Sequence, residues 1–191
     1  MTLFVLATAN PDKAVEIGAI LGPGVELVPR PETVAEVDET GDTLEENARL
    51  KARALVEATG QPALADDTGL EVTALDGRPG VHSARYAGED ATYAQNVAKL
   101  LAELGGMEER SARFRTVALA LWPDGRELVA EGEVRGRIAE QPRGSGGFGY
   151  DPVFVPEGES RTFAEMTHAE KNVVSHRGRA FRALGVLLRS P

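Results

Sequence analysis

The chain has 191 residues, no cysteine and a formal net charge of −9, with 42% hydrophobic and 27% charged residues. That composition suits one globular domain spanning 1–191; it is too apolar for a disordered chain and too mixed for a membrane protein. It excludes disulfides, thiolate zinc sites and cysteine nucleophiles, and the acidity argues against nucleic-acid binding, which needs a basic footprint.

The opening MTLFVLATAN lacks the basic start of a signal peptide, and no run reaches the ~18 apolar residues of a membrane span, so a cytoplasmic protein is expected. Leu3 to Ala7 reads as a buried strand. Asn10 as N-cap, Pro11 at the first helical position and Asp12 in the first turn open a helix to about Leu21, stopped by Gly22-Pro23. Thr43 and Glu46 form a capping box for a helix to about Ala58, ended by Gly60. Ala63 to Asp67 reads as a second buried strand, with Thr68-Gly69 as its turn. Thr92 and Gln95 cap a helix to Leu104. Phe114 to Trp122 and Glu127 to Ile138 are strands around Pro123-Asp124-Gly125, a hairpin signal. A short strand at Val153 to Val155, a brief helix capped by Thr162 and Glu165, and a helix from Ser175 to Arg189 complete the chain. Strand–helix units mixed with a hairpin predict an α/β fold with a mixed sheet flanked by helices.

Four segments could carry chemistry. In Thr8 to Lys13, a strand feeds a helix N-terminus, where backbone N–H groups and a partial positive charge favour anions; Thr8, Asn10 and Lys13 add donors. Read alone, it is equally an ordinary capped helix, and no GxxxxGK[ST] loop occurs anywhere. The second is a carboxylate set, Asp38-Glu39 and Asp66-Asp67. Hard divalent ions such as Mg²⁺ take one or two carboxylates plus phosphate and water oxygens. Strand alternation points Asp66 and Asp67 to opposite faces, so one of them serves a given site. Asn47 and Lys51 share a helix face and can look at that site together.

The third segment, Gly144 to Pro152, matches GxGxxG only formally, because no helix follows. It reads better as a loop that lets backbone approach a flat ligand, with Phe148 free to stack. The fourth gathers Lys171, His176 and Arg177 within seven residues, donors for carbonyl or phosphate oxygens. His82 and His168 have no such company, and no zinc-type histidine spacing exists. Only four of the 21 basic residues are lysines, and three of these (Lys13, Lys51, Lys171) fall in the singled-out segments.

Taken together, TANPDK (Thr8 to Lys13), ETGDTLEENARLKA (Glu39 to Ala52), ADDTGLEV (Ala65 to Val72), GRPGVHSARYAG (Gly77 to Gly88), GGFGYDPVF (Gly146 to Phe154) and TFAEMTHAEKNVVSHRGRA (Thr162 to Ala180) resemble the inosine triphosphate pyrophosphatase-like family, in family order and over nearly the whole chain. The resemblance is to the bacterial branch. It implies a long bent mixed sheet with two lobes and a central cleft, and Mg²⁺-dependent hydrolysis of dITP, ITP, XTP and dXTP to monophosphate and pyrophosphate by a homodimer. It further implies that Thr8, Asn10 and Lys13 hold the phosphate tail, with Lys51 also on the substrate side. Asp67 would be general base and metal residue, with Asp38 or Glu39 as a further metal carboxylate. Thr68, Phe148, Gly149, Tyr150, Asp151, Lys171, His176 and Arg177 would contact substrate. Thr68 stands where the family commonly has serine, and Asp38 where relatives often have glutamate. Rival readings are a pyrophosphatase for modified pyrimidine nucleotides, a nucleotide sensor and a protein-interaction domain. A triphosphate panel, pyrophosphate release with Mg²⁺ and a thermal shift with ITP separate them.

Overall fold

The apolar run after the N-terminus forms strand β1 (Thr2–Leu6), and Asn10 caps helix α1 (Pro11–Leu21) by accepting from the Asp12 and Lys13 N–H groups. This is a computed structural model, and it describes residues 2–8, 10–22 and 24–189. Ala9 of the TANPDK segment, the Pro23 stop signal and the last two residues of the expected 1–191 domain lie outside that set. The chain continues through β2 (Val25–Pro29), α2 (Leu44–Thr59), β3 (Ala63–Val72), β4 (Pro79–Gly80), α3 (Tyr93–Glu103), β5 (Ser111–Leu121), β6 (Glu127–Ile138), β7 (Phe154–Pro156), α4 (His168–Val174) and α5 (His176–Arg189). The described strands form one mixed sheet in the order β2-β1-β3-β5-β6-β7, with β4 on β3. β1 runs parallel to both β2 and β3, as strand–helix–strand connections require, while β6 and β7 are antiparallel.

Packing divides the chain into two units, each assembled from separated stretches. The first comprises residues 1–67, 116–132 and 176–191; its core joins Phe4 and Leu6 of β1, Ile17 and Leu21 of α1, Leu64 of β3, Ala118 and Ala120 of β5, and Phe181 and Leu184 of α5. The second comprises 68–115 and 133–175, with Leu70 and Val72 of β3, Leu100 of α3, Phe114, Ile138, Phe154 and Phe163 in its core.

Most boundaries fall within a few residues of the sequence reading, and the largest difference is at β3. β3 does not end at Asp67 in a turn; it runs on through Thr68 and Gly69 to Val72. Leu70 and Val72, fully buried in the second core, draw the strand onward, and Ser83 Oγ accepts the Leu70 N–H at 2.8 Å. Asp66 and Asp67 are therefore mid-strand residues, both buried.

Candidate active site

In the first unit, α1, β3 and α5 bring four ionisable side chains together. Lys13 Nζ lies 3.3 Å from Asp66 Oδ2, Arg177 Nε lies 3.4 Å from the same oxygen, and Arg177 Nη1 lies 2.7 Å from Glu16 Oε2. Burial works to raise the Asp66 carboxyl, but Lys13, Arg177 and Lys51 together outweigh it and hold it well below the ordinary carboxylate range. Burial lowers Lys13, and the nearby Lys51 and Arg177 charges add to that; Asp66 and Asp67 offset only part.

Asp67 belongs to a second group on the same strand. Its Oδ1 is 2.9 Å from Lys51 Nζ, which also bridges to Glu39 Oε1 at 2.6 Å. Asn47, fully buried on α2, donates from Nδ2 to Asp67 Oδ2 at 3.3 Å and accepts the Gly41 N–H at 2.8 Å. That one amide ties the Glu39–Gly41 loop to Asp67. Helical spacing presents Asn47 and Lys51 on one side of α2, and its capping box, Thr43 with Glu46, fixes where that side begins. The Glu39 and Asp67 carboxyls, both paired with the Lys51 ammonium, also act on each other's acidity. Burial raises Asp67, and the Glu39 charge raises it further against the pull of Lys51. Burial also works against an ionised Glu39, but Lys51 overcomes it and keeps Glu39 low. Burial lowers Lys51, yet the carboxylates of Asp67, Glu39 and Asp66 push it up to about 12. The strand alternation noted in the sequence is thus realised: Asp66 faces Lys13 and Arg177, Asp67 faces Lys51 and Asn47. Asp38 is exposed, with its backbone carbonyl accepting the Thr40 N–H.

Together these described side chains set three cations (Lys13, Lys51, Arg177) against four carboxylates (Glu16, Glu39, Asp66, Asp67). A triphosphate adding about four negatives would need further positive charge here. Two carboxylates, Glu39 and Asp67, already bridged by one cation match the sparse carboxylate set that Mg²⁺ takes alongside phosphate and water oxygens. No grouping of three or more His, Asp or Glu ligands is found among the described residues.

At the start of α1, Thr8 Oγ1 accepts the Asn10 N–H at 3.0 Å, and Asn10 Oδ1 accepts from Asp12 at 2.9 Å and Lys13 at 3.3 Å. Two of the helix N–H groups are therefore taken by the cap. The side-chain donors of this segment are the Thr8 hydroxyl, the Asn10 amide and the Lys13 ammonium.

α5 opens in the same unit. His176 Nδ1 is 2.6 Å from Thr116 Oγ1 on β5, both groups buried. The first turn of α5 lies directly on Gly132 of β6: a methyl there would come within 2.5 Å of Ala180 N and closer still to the His176 carbonyl oxygen. Glycine is needed for this approach, not for its backbone angles.

In the second unit, Lys171 Nζ is 2.5 Å from Asp151 Oδ2, with both side chains buried. The ammonium also sits 4.7 Å from the Phe148 ring centroid, an attractive cation–π distance. Asp151 Oδ2 accepts the Phe148 N–H at 2.9 Å. Gly147 has φ +67°, and a methyl there would run into the Asp151 carboxylate, so the glycine loop folds back on its own acid. Gly149 (φ +60°) is half-buried, and Tyr150 is buried with its hydroxyl donating to the Ser83 carbonyl at 2.9 Å. The Tyr93 ring stands 6.0 Å from that of Phe148. Thr68 is half-buried in the same unit. No helix begins at the GxGxxG match, as the sequence reading held. His168 and His82 are both exposed.

The Ham1 family model matches residues 4–186. The chain belongs to the Ham1 family. Relatives of this Ham1 chain include a dITP/XTP pyrophosphatase of Streptomyces coelicolor, 48% identical over 199 residues and covering 99% of this chain and 98% of the relative. One of Lactiplantibacillus plantarum is 50% identical over 185 residues, covering 94% and 91% respectively. A solved HAM1 protein from Coxiella burnetii superimposes with a TM-score of 0.90 at 42% identity, covering 98% of each chain. The α/β mixed-sheet class expected from the sequence is the Ham1 fold.

Three residues around these clusters were not singled out in the sequence. Glu16 looks there like one acid on an amphipathic helix, Thr116 like one hydroxyl just before the apolar run VALALW, and Gly132 like a mid-strand glycine. A polar or glycine residue inside an otherwise apolar or regular strand is the signal that was available.

Proposed function

We propose that this chain is a nucleoside-triphosphate pyrophosphatase that hydrolyses dITP, ITP, XTP and dXTP to the monophosphate and pyrophosphate, clearing deaminated purines from the nucleotide pool. The observation that carries the reading is the buried Asp67, its carboxyl pushed upward by burial and held by Lys51 and Asn47, with the cationic start of α1 in the same unit. The names of the Streptomyces and Lactiplantibacillus relatives support the substrate class.

Asp67 takes a proton from water as the water oxygen bonds to the α-phosphorus; the electron pair of the α–β bridge leaves with pyrophosphate. A raised carboxyl suits this role, because a base works best with a pKa nearer the working pH. Asn47 fixes its orientation. Thr8, Asn10 and Lys13 hold the phosphate tail, and Lys13 and Lys51 stabilise charge growing on its oxygens. Glu39 and Asp67 are the residues assigned to hold Mg²⁺, with the exposed Asp38 left out. When bound, the ion supplies charge to the phosphate oxygens and lowers the pKa of coordinated water. His176 and Arg177 in the first unit are assigned to the nucleoside. In the second unit the same assignment goes to Thr68, Phe148, Gly149, Tyr150, Asp151 and Lys171.

Selectivity follows from the purine 6-position. Hypoxanthine and xanthine carry an oxygen acceptor there and adenine an amino donor, so a buried donor rejects adenine by as much as ~10⁴-fold. We also expect a cytoplasmic homodimer; among the described residues no helix is long and apolar enough to cross a membrane. The test is monophosphate and pyrophosphate production from ITP, dITP, XTP, GTP and ATP, with and without Mg²⁺, by wild type and Asp67→Asn. Asp67→Asn should lose ~10²–10⁴-fold in kcat with nucleotide binding largely kept. Near-normal turnover in that variant removes Asp67 from the role, and equal rates with ATP and ITP defeat the selectivity.

A further inference from the structure

Thr116 is fully buried on a strand whose next inward residues, Ala118 and Ala120, are small, apolar and part of the first core. Burying a hydroxyl in such a place costs free energy unless it is hydrogen-bonded. Its partner is the imidazole of His176, 60 residues away in sequence and 2.6 Å away in space. A neutral imidazole has one donor and one acceptor nitrogen, and the bond made by one nitrogen decides the state of the other.

We propose that Thr116 is a positioning residue for His176: its hydroxyl donates to Nδ1 and keeps the imidazole proton on Nε2. The inference deepens the functional reading, because it rests on the assignment of His176 to the nucleoside. An Nε2–H is a donor of fixed sign. It accepts the company of a 6-oxo purine and opposes a 6-amino one. Threonine suits the task better than serine because its β-branch restricts χ1. The floor of the arrangement is Gly132, on the strand next to β5, which lets the His176 backbone approach closely enough for the ring to reach Thr116.

The chain contains three histidines, so long-range ¹H–¹⁵N correlation of the imidazoles reads the tautomer directly, with the His176 signals identified by their loss in His176→Gln. Wild type should show His176 as one neutral Nε2–H tautomer. Thr116→Val, equal in shape without the hydroxyl, should average the two tautomers. It should lower kcat/KM for ITP about tenfold, the size of one neutral hydrogen bond, and narrow the ITP-over-ATP preference. Thr116→Ser should restore both readouts most of the way. An Nδ1–H or averaged tautomer in wild type overturns the proposal without any variant, which covers the case of a Thr116→Val protein that does not fold. Unchanged tautomer and preference in folded Thr116→Val overturn it too. If His176→Gln keeps wild-type turnover and preference, the assignment of His176 to the nucleoside fails. The specificity role of Thr116 fails with it, whatever the spectrum shows.

Discussion

Gly132→Ala isolates the seating of α5 from every charge in the site. The added methyl would lie 2.5 Å from Ala180 N and closer still to the His176 carbonyl oxygen, whereas an ordinary contact needs about 3.5 Å, so the first turn must retreat by at least about 1 Å. Both obstructing atoms are helix backbone, which cannot swing aside as a side-chain tip can. The Arg177–Asp66 contact, at 3.4 Å, has no slack, and the 2.7 Å bond to Glu16 would stretch past hydrogen-bonding range. A misplacement of this size costs about 10²-fold in rate, and overpacking costs about 1–3 kcal/mol in stability. Urea unfolding and steady-state pyrophosphate release from ITP, compared on protein shown to be folded, measure the two effects. Gly18→Ala is the control: it is the same substitution on α1 with nothing within 4 Å of the added carbon, and it should stabilise by about 0.5–1 kcal/mol. A folded Gly132→Ala enzyme with kcat/KM within about twofold of wild type would refute the reasoning.

Two further outcomes follow from the buried charges. Lys171→Met strands the Asp151 carboxylate, whose cation now sits 2.5 Å away, and should destabilise by about 3–5 kcal/mol in urea titration; adding Asp151→Asn should recover part of it. Asp66 is held below its ordinary value near 3.8. Its contribution to stability is therefore fully present above that pH and drains away as the pH falls below it. Asp67, raised, runs the other way, losing its contribution as the pH climbs through its folded pKa. Asp66→Asn should thus flatten the acid side of the urea-midpoint profile, roughly between pH 4 and 2; an unchanged slope there would contradict the assignment.

Elements with local signals were legible in the sequence. β6 has its expected bounds, and the α1 cap and the α2 and α3 capping boxes sit where Asn10, Thr43 and Thr92 placed them. β2 escaped because VELVP carries a charge and a proline, marks of an edge strand, and it is the outermost strand. α4 escaped because its Thr167–Glu170 capping box opens only seven helical residues. The overrun of β3 reflects tertiary burial of Leu70 and Val72 overriding the turn propensity of Thr68-Gly69. Within the site, Lys13, Lys51 and Asp67 were visible because each sits beside a cap or at the end of an apolar run. The residues paired with Arg177 and His176 were not, because Glu16 and Thr116 lie 161 and 60 residues away from them in sequence. A local pattern can mark a polar residue in an apolar setting, but it does not say which distant residue it pairs with.

The near-absence of lysine has a practical side. Lys13, Lys51 and Lys171 each keep less than a fifth of their side chains open to water and each is locked to a carboxylate, whereas Lys99 on α3 is 42% open. Among the lysines, a dye, biotin or resin that acylates primary amines under mild conditions therefore meets Lys99 first. The molecule comes with a built-in handle for tethering, while the amines of its charged clusters are shielded from the reagent.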